Sequence, residues 1–151
     1  MVSKWGMNDL FRRSFLFLAC VVACRAQSSA PPFAERLVKA ALERVQHTVR
    51  YDPAYVILDY PNGDVPADTG VCTDEIIRSY RALGFDLQKL VHEDMKRSFA
   101  AYPKIWGLKS TDKNIDHRRV PNLQVFLKRQ GTSLTVTEEH SDYKPGDLIT
   151  C

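Results

Sequence analysis

The chain has 151 residues, a length that fits one domain and hardly two, and its 44% hydrophobic and 26% charged content is that of a globular protein, not a disordered or collagen-like one. The formal charge of +3 arises at the start: residues 1–26 hold four of the 21 basic side chains (Lys4, Arg12, Arg13, Arg25) and one of the 18 acidic ones (Asp9), leaving 17 of each sign in the remainder. A nucleic-acid partner would need a basic surplus or stripe, and the balanced remainder offers neither; one long apolar run is also too few for a polytopic membrane protein.

That run opens the chain. Met1–Arg13 is basic, Ser14–Cys24 is an apolar stretch of eleven residues, too short to span a bilayer comfortably, and small residues follow through Ala26 to Ala30. This layout predicts an export signal over 1–26. The competing reading, a buried N-terminal helix, is disfavoured by Arg12-Arg13 abutting the run and by the Pro31-Pro32 break beyond it. Cleavage after Ala26 is the first expectation. Val21-Val22-Ala23-Cys24 also resembles a lipobox, which would leave Cys24 as a lipid anchor and the chain's one attachment to a membrane, and Arg12-Arg13 resembles a twin-arginine signal. Each route leads out of the cytoplasm, to the periplasm or the medium.

Residues 27–151 are expected to form one α+β domain. Pro31-Pro32 opens a helix over 33–49, with Phe33, Leu37, Ala41 and Val45 (joined by Leu42) on its apolar stripe and Asp52-Pro53 ending it. Ala54–Tyr60, rich in β-formers, reads as a strand, and Pro61–Gly70 as a turn-rich loop. A helix begins at Cys72 and runs to about Leu83, where Gly84 can stop it; Asp86 caps another over 87–100. A loop of aromatic and polar residues spans Tyr102–Arg119, a short helix covers Pro121–Gln130 up to Gly131, and strands are predicted at Ser133–Thr137 and, after the Lys144–Asp147 turn, at Leu148–Thr150. The chain stops within this last apolar run, which reads as a domain incomplete at its C-terminus.

Cys72 is the chief candidate for chemistry. It should sit on the first turn of its helix, where unpaired amides and the helix dipole stabilise the thiolate that a cysteine nucleophile requires. Two other readings stand beside this one: a buried structural thiol, or half of a Cys72–Cys151 disulfide, since these two cysteines alone follow the leader. No Cys/His cluster has ligand spacing, so neither metal nor cofactor is expected. Of the histidines, His47 reads as a helix-end residue and His92 and His140 as surface residues. His117 lies in a dense polar loop with Asp116, Arg118 and Arg119; this patch either clamps the loop internally or holds a substrate carboxylate through its arginines.

Several ordered motifs carry a resemblance: Gly70–Asp74, Tyr80, Asp86–Met95, Tyr102-Pro103, Asn114–Asn122 and Lys144–Leu148. Together they resemble the bacterial domain-of-unknown-function family numbered 1287 over residues 33–151, which is in turn similar to the NlpC-type papain-like cysteine peptidases of the cell wall. The resemblance implies helices packed on a small antiparallel sheet, Cys72 as nucleophile, and Lys144–Leu148 as the turn and strand leading to a histidine base. That histidine would lie beyond Cys151, so this chain holds the nucleophile without its base and little catalysis is expected of it alone. The NlpC pattern Asp-Cys-Ser-Gly stands here as Val71-Cys72-Thr73-Asp74, a departure that bears on peptide specificity. The functional expectation is an exported cysteine hydrolase acting on cell-wall peptides. The alternatives are a non-catalytic module that binds envelope peptide or glycan through Asp116–Arg119, Tyr102 and Trp106, and a purely structural disulfide protein.

Overall fold

The computed structural model describes residues 31–150; the leader, Cys24 and Cys151 lie outside the described residues. Pro32 takes the cap position of the first helix, α1 (Phe33–Arg44), its fixed backbone angle suiting a helix entry. The helix ends one turn earlier than its apolar pattern predicts. Beyond Arg44 the chain makes tight turns as far as His47, and Leu42 and Val45, expected in the core, are 62% and 75% exposed. What anchors α1 is its beginning: Phe33 packs against the rings of Tyr80 and Phe85 at 5.9 and 5.5 Å, and Leu37 is buried.

The sheet differs from expectation in both size and direction. Two strands of two residues each, β1 (Arg50–Tyr51) and β2 (Thr69–Gly70), pair in parallel, with Arg50 opposite Thr69 and Tyr51 opposite Gly70. The expected small antiparallel sheet is therefore corrected, and none of the segments 54–60, 133–137 and 148–150 is a strand. Side chains occupy the backbone groups that a ladder would have used. The Leu58 amide donates to Asn114 Oδ1 at 2.9 Å, the Asp59 carbonyl accepts from Gln88 at 2.8 Å, and the Tyr143 hydroxyl serves both the amide and the carbonyl of Thr137. The architecture is mixed α+β, dominated by its helices.

Three further helices enclose the core: α2 (Cys72–Ala82), α3 (Leu87–Arg97) and α4 (Val120–Gln130). Their limits follow the sequence signals closely. Gly84, at φ +89°, ends α2, and the Asp86 carboxylate accepts from the Lys89 amide to cap α3. Ile77 of α2, Leu87, Val91 and Met95 of α3, and Leu123 and Phe126 of α4 fill the centre, each contributing about 1.5–3 kcal/mol by leaving water. The turn Asp116–Arg118 packs against all three of these helices.

The loop leading to α2 is pinned from below. Buried Gln88 also accepts from the Gly63 amide at 2.9 Å, where a Cβ would collide with the Asp59 carbonyl. Buried Arg78 reaches the carbonyls of Pro66 and Thr69 at 3.1 and 3.0 Å and pairs with Asp64 and Glu75. At the other end of the chain, Gly146 (φ +94°) lies against α1, where an added Cβ would approach that of Ala34 to 2.8 Å. This contact directs Leu148 back onto the core.

Candidate functional site

The start of α2 is fixed by a network that Asp74 organises. One oxygen of its carboxylate accepts from the Val71 amide at 2.7 Å, capping the helix, and the two oxygens together accept from Arg118 at 2.9 Å each. The Thr73 hydroxyl donates to the Arg118 carbonyl at 2.7 Å, so the first turn of α2 is bolted to the Asp116–Arg118 turn at two points. Cys72, the first residue of the helix, projects out of this network: it is exposed and its thiol is free among the described residues. It is thus not the buried structural thiol that the sequence left open, while the Cys72–Cys151 pairing lies outside the described residues.

Cys72 stands between two cavities. On one side an apolar groove of about 350 Å³ is walled by Ile76, Val120, Leu123 and Leu127 and by the segment Leu148–Thr150. Thr150 is held there by a 2.6 Å bond from Gln124 of α4. On the other side a pocket of about 300 Å³ is walled by Tyr51, Val71, Trp106, Arg118, Arg119 and Pro121. Among the described residues no histidine lines either cavity.

The polar patch 116–119 divides into a buried part and an open part. Asp116 is fully buried; its carboxylate accepts from the Asp112 amide at 2.6 Å, and burial raises its pKa. His117 is 2% exposed, its Nδ1 has no partner, and burial pulls its pKa down to about 4, which keeps it neutral at pH 7. Arg118 gives its remaining donors to the carbonyls of Ala54 and Asp52. All three are buried in the turn, but Asp116 pairs with neither arginine; Arg118 is matched by Asp74 instead. Arg119 is separate. Its guanidinium stacks 4.3 Å above the Trp106 ring and lines the pocket that also holds Cys72.

Other expectations shift with burial. His47 and His140 are exposed, but His92, expected at the surface, is largely covered, with Nδ1 3.7 Å from Asp116 Oδ2 and its ring edge-on to Tyr60. Tyr102, grouped with Trp106 as a ligand contact, is in the core and donates to Asp94 at 2.7 Å, whereas Trp106 is 55% exposed. Sequence reasoning missed Tyr51 and Val120 as cavity walls and Asp74 as the partner of Arg118; a capping acid two residues after the cysteine was the available signal for the last. Among the described residues no three His, Cys, Asp or Glu side chains group as metal ligands, and no helix is long and apolar enough to cross a membrane.

The geometry defines a small mixed α+β domain that presents a cysteine at a helix start, between two cavities. The chain belongs to the family described as Domain of unknown function (DUF1287), which it matches over residues 38–151. It is 49% identical over 114 residues to the uncharacterized protein YijF of Escherichia coli (strain K12), an alignment that covers 76% of this chain and 56% of that protein. The chain thus spans little more than half the length of the curated relative it matches. No solved structure matches it.

Proposed function

We propose that this chain is the nucleophile-bearing part of an exported cysteine hydrolase of papain-like, NlpC-type ancestry that cuts amide bonds in cell-envelope peptides, with residues 1–26 as its export signal and 27–151 as its domain. The observation that carries this reading is the exposed Cys72 thiol at the first turn of α2, set between two cavities that both reach it. The Cys72 sulfur attacks the amide carbonyl, and amides of the first turn, which have no partner within the helix, receive the oxyanion. Collapse breaks the C–N bond, and the amine leaves with a proton. Water then cleaves the thioester, releasing a carboxylate and restoring the thiol. Asp74, Asp116, His117 and Arg118 act in this scheme as positioning residues beneath the helix start. The base is assigned to chain outside the described residues; the segment Leu148–Thr150, which would lead to it, walls the groove beside Cys72.

The test is hydrolysis of purified cell-wall peptides by the full-length protein, secreted or periplasmic, followed by chromatography and by mass spectrometry of the protein. The expected result is new amine and carboxylate termini and a transient acyl adduct on the Cys72 peptide, both lost in Cys72→Ser. Turnover that survives Cys72→Ser overturns the assignment. The exposed stack of Arg119 on Trp106 favours a second reading, a non-catalytic module binding envelope peptide or glycan. That reading predicts retention on cell-wall material by both proteins and turnover by neither.

A further inference from the structure

We propose that Arg119, held on the face of Trp106, forms a subsite for a carboxylate in the pocket beside Cys72, so that this protein takes peptides with an acidic group close to the amide presented to the thiol. The assignment of that peptide as a substrate rests on the hydrolase reading; the binding rests on the pocket alone.

The charge of the pocket is the first argument. Among the described residues its charged wall residues are Arg118 and Arg119, and no carboxylate lines it. The charge of Arg118 is already matched by Asp74. Arg119 has no ion pair within 4.0 Å among the described residues, so the pocket carries an unmatched positive charge. The other arginines that are not exposed differ: Arg44, Arg78, Arg81 and Arg118 each pair with a carboxylate.

The second argument is an unmet donor. Nη1 of Arg119 is cut off from solvent and has no hydrogen-bond partner among the described residues. That nitrogen is walled in by protein, but Arg119 as a whole is only half-buried, and a carboxylate in the pocket meets the open part of its planar guanidinium fork. Asp116 feels the charge of Arg119, and its Oδ1 also lacks a hydrogen-bond partner among the described residues, but its Oδ2 is held by the Asp112 amide and neither oxygen comes within ion-pair distance of Arg119.

Third, the support under Arg119 is itself held in an unfavourable conformation. Trp106 adopts φ +64° and ψ 23°, in the left-handed region that a bulky side chain rarely enters. That backbone presents the indole as an exposed platform and fixes the guanidinium over it, which orders the cation before a ligand arrives. The site is continuous with the start of α2, so a peptide whose acid reaches Arg119 lies across the Cys72 thiol.

The test uses the full-length Cys72→Ser protein and two probes, acetyl-Ala-Glu-Ala-amide and acetyl-Ala-Gln-Ala-amide, with affinity read by calorimetry. The acidic peptide is expected to bind on the order of tenfold more tightly or better. Arg119→Gln should erase that preference and Arg119→Lys should keep part of it. Equal affinity for the two peptides, binding of neither at millimolar concentration, or a preference untouched by Arg119→Gln overturns the subsite. Should Arg119→Gln fail to fold, the Glu/Gln comparison on the unchanged pocket and the Arg119→Lys variant still decide. Hydrolysis by the Cys72 protein separates the two readings. Acid-selective binding without cleavage leaves the subsite standing and removes the hydrolase, whereas cleavage of both peptides at equal KM does the reverse.

Discussion

Arg118 lies beneath the start of α2 and donates its Nε and Nη2 to Asp74, whereas Arg119, one residue further on, stacks on an exposed indole with one nitrogen unpaired among the described residues. The difference comes from the backbone. Arg118 closes a tight turn packed against three helices, and Arg119 is extended (φ −100°, ψ 118°) as the cap residue of α4, so consecutive side chains diverge to the inside and the outside of the same wall. The comparison teaches that charge type does not assign a role at this site. The partner does: an arginine with a carboxylate in reach consolidates the fold, and one without is free to bind.

The largest effect should come from breaking the saturated side. Arg118→Ala leaves the Asp74 carboxylate buried without its cation and should cost about 3–5 kcal/mol in urea unfolding. A loss under about 1 kcal/mol would mean that the clamp does not hold the helix start. Next comes His117, whose effect depends on pH. Its folded pKa, lowered by burial to about 4, lies below the ordinary 6.5, so the unfolded chain takes up the proton first as pH falls. The neutral ring's contribution is complete above pH 6.5 and is lost between 6.5 and about 4, amounting to at most about 3 kcal/mol. Asp116 works in the opposite sense: its raised pKa favours the folded state at low pH, an advantage lost as pH rises through the folded value. His117→Gln should therefore flatten the fall in stability between pH 7 and 5, measured by denaturant titration at each pH. An unchanged slope would place the titration elsewhere.

The open side of the comparison was only partly legible in the sequence. Helix ends that carry a local signal were readable, as with Pro31-Pro32 before α1, Gly84 and Asp86 between α2 and α3, and Gly131 after α4, whereas the ends of α1 at Arg44 and α3 at Arg97 were not. The position of Cys72 at a helix start was readable for the same reason. The strands were not, because a β-rich run such as Ala54–Tyr60 needs a partner to become a strand, and here Asn114 and Gln88 satisfy its backbone instead. A parallel pair of two-residue strands is shorter than any alternation pattern can reveal. Nor could the sequence separate Arg118 from Arg119, since the pairing of Arg118 with Asp74 spans 44 positions and the stacking of Arg119 depends on the unusual backbone of Trp106.

Smaller stability effects sharpen the contrast. Arg119→Ala removes a surface stack worth about 0.5–1 kcal/mol, a modest change beside that expected for its neighbour, though it should abolish the preference for an acidic peptide. If Arg119→Ala cost as much stability as Arg118→Ala, the two arginines would be equally structural and the contrast would collapse.

The smallest stability effect is expected at Cys72 itself. The residue is exposed, and the capping bond at the start of α2 runs from the Val71 amide to Asp74 rather than through the thiol. Cys72→Ser should therefore stay within about 0.5 kcal/mol of the parent in thermal unfolding while removing any acyl adduct. A residue that contributes almost nothing to the fold, yet stands where Asp74, Thr73 and Arg118 converge to fix one helix turn, is what a nucleophile on a rigid base requires. A large destabilisation by Cys72→Ser would instead tie the thiol to packing, and the network beneath it would then need no chemical purpose.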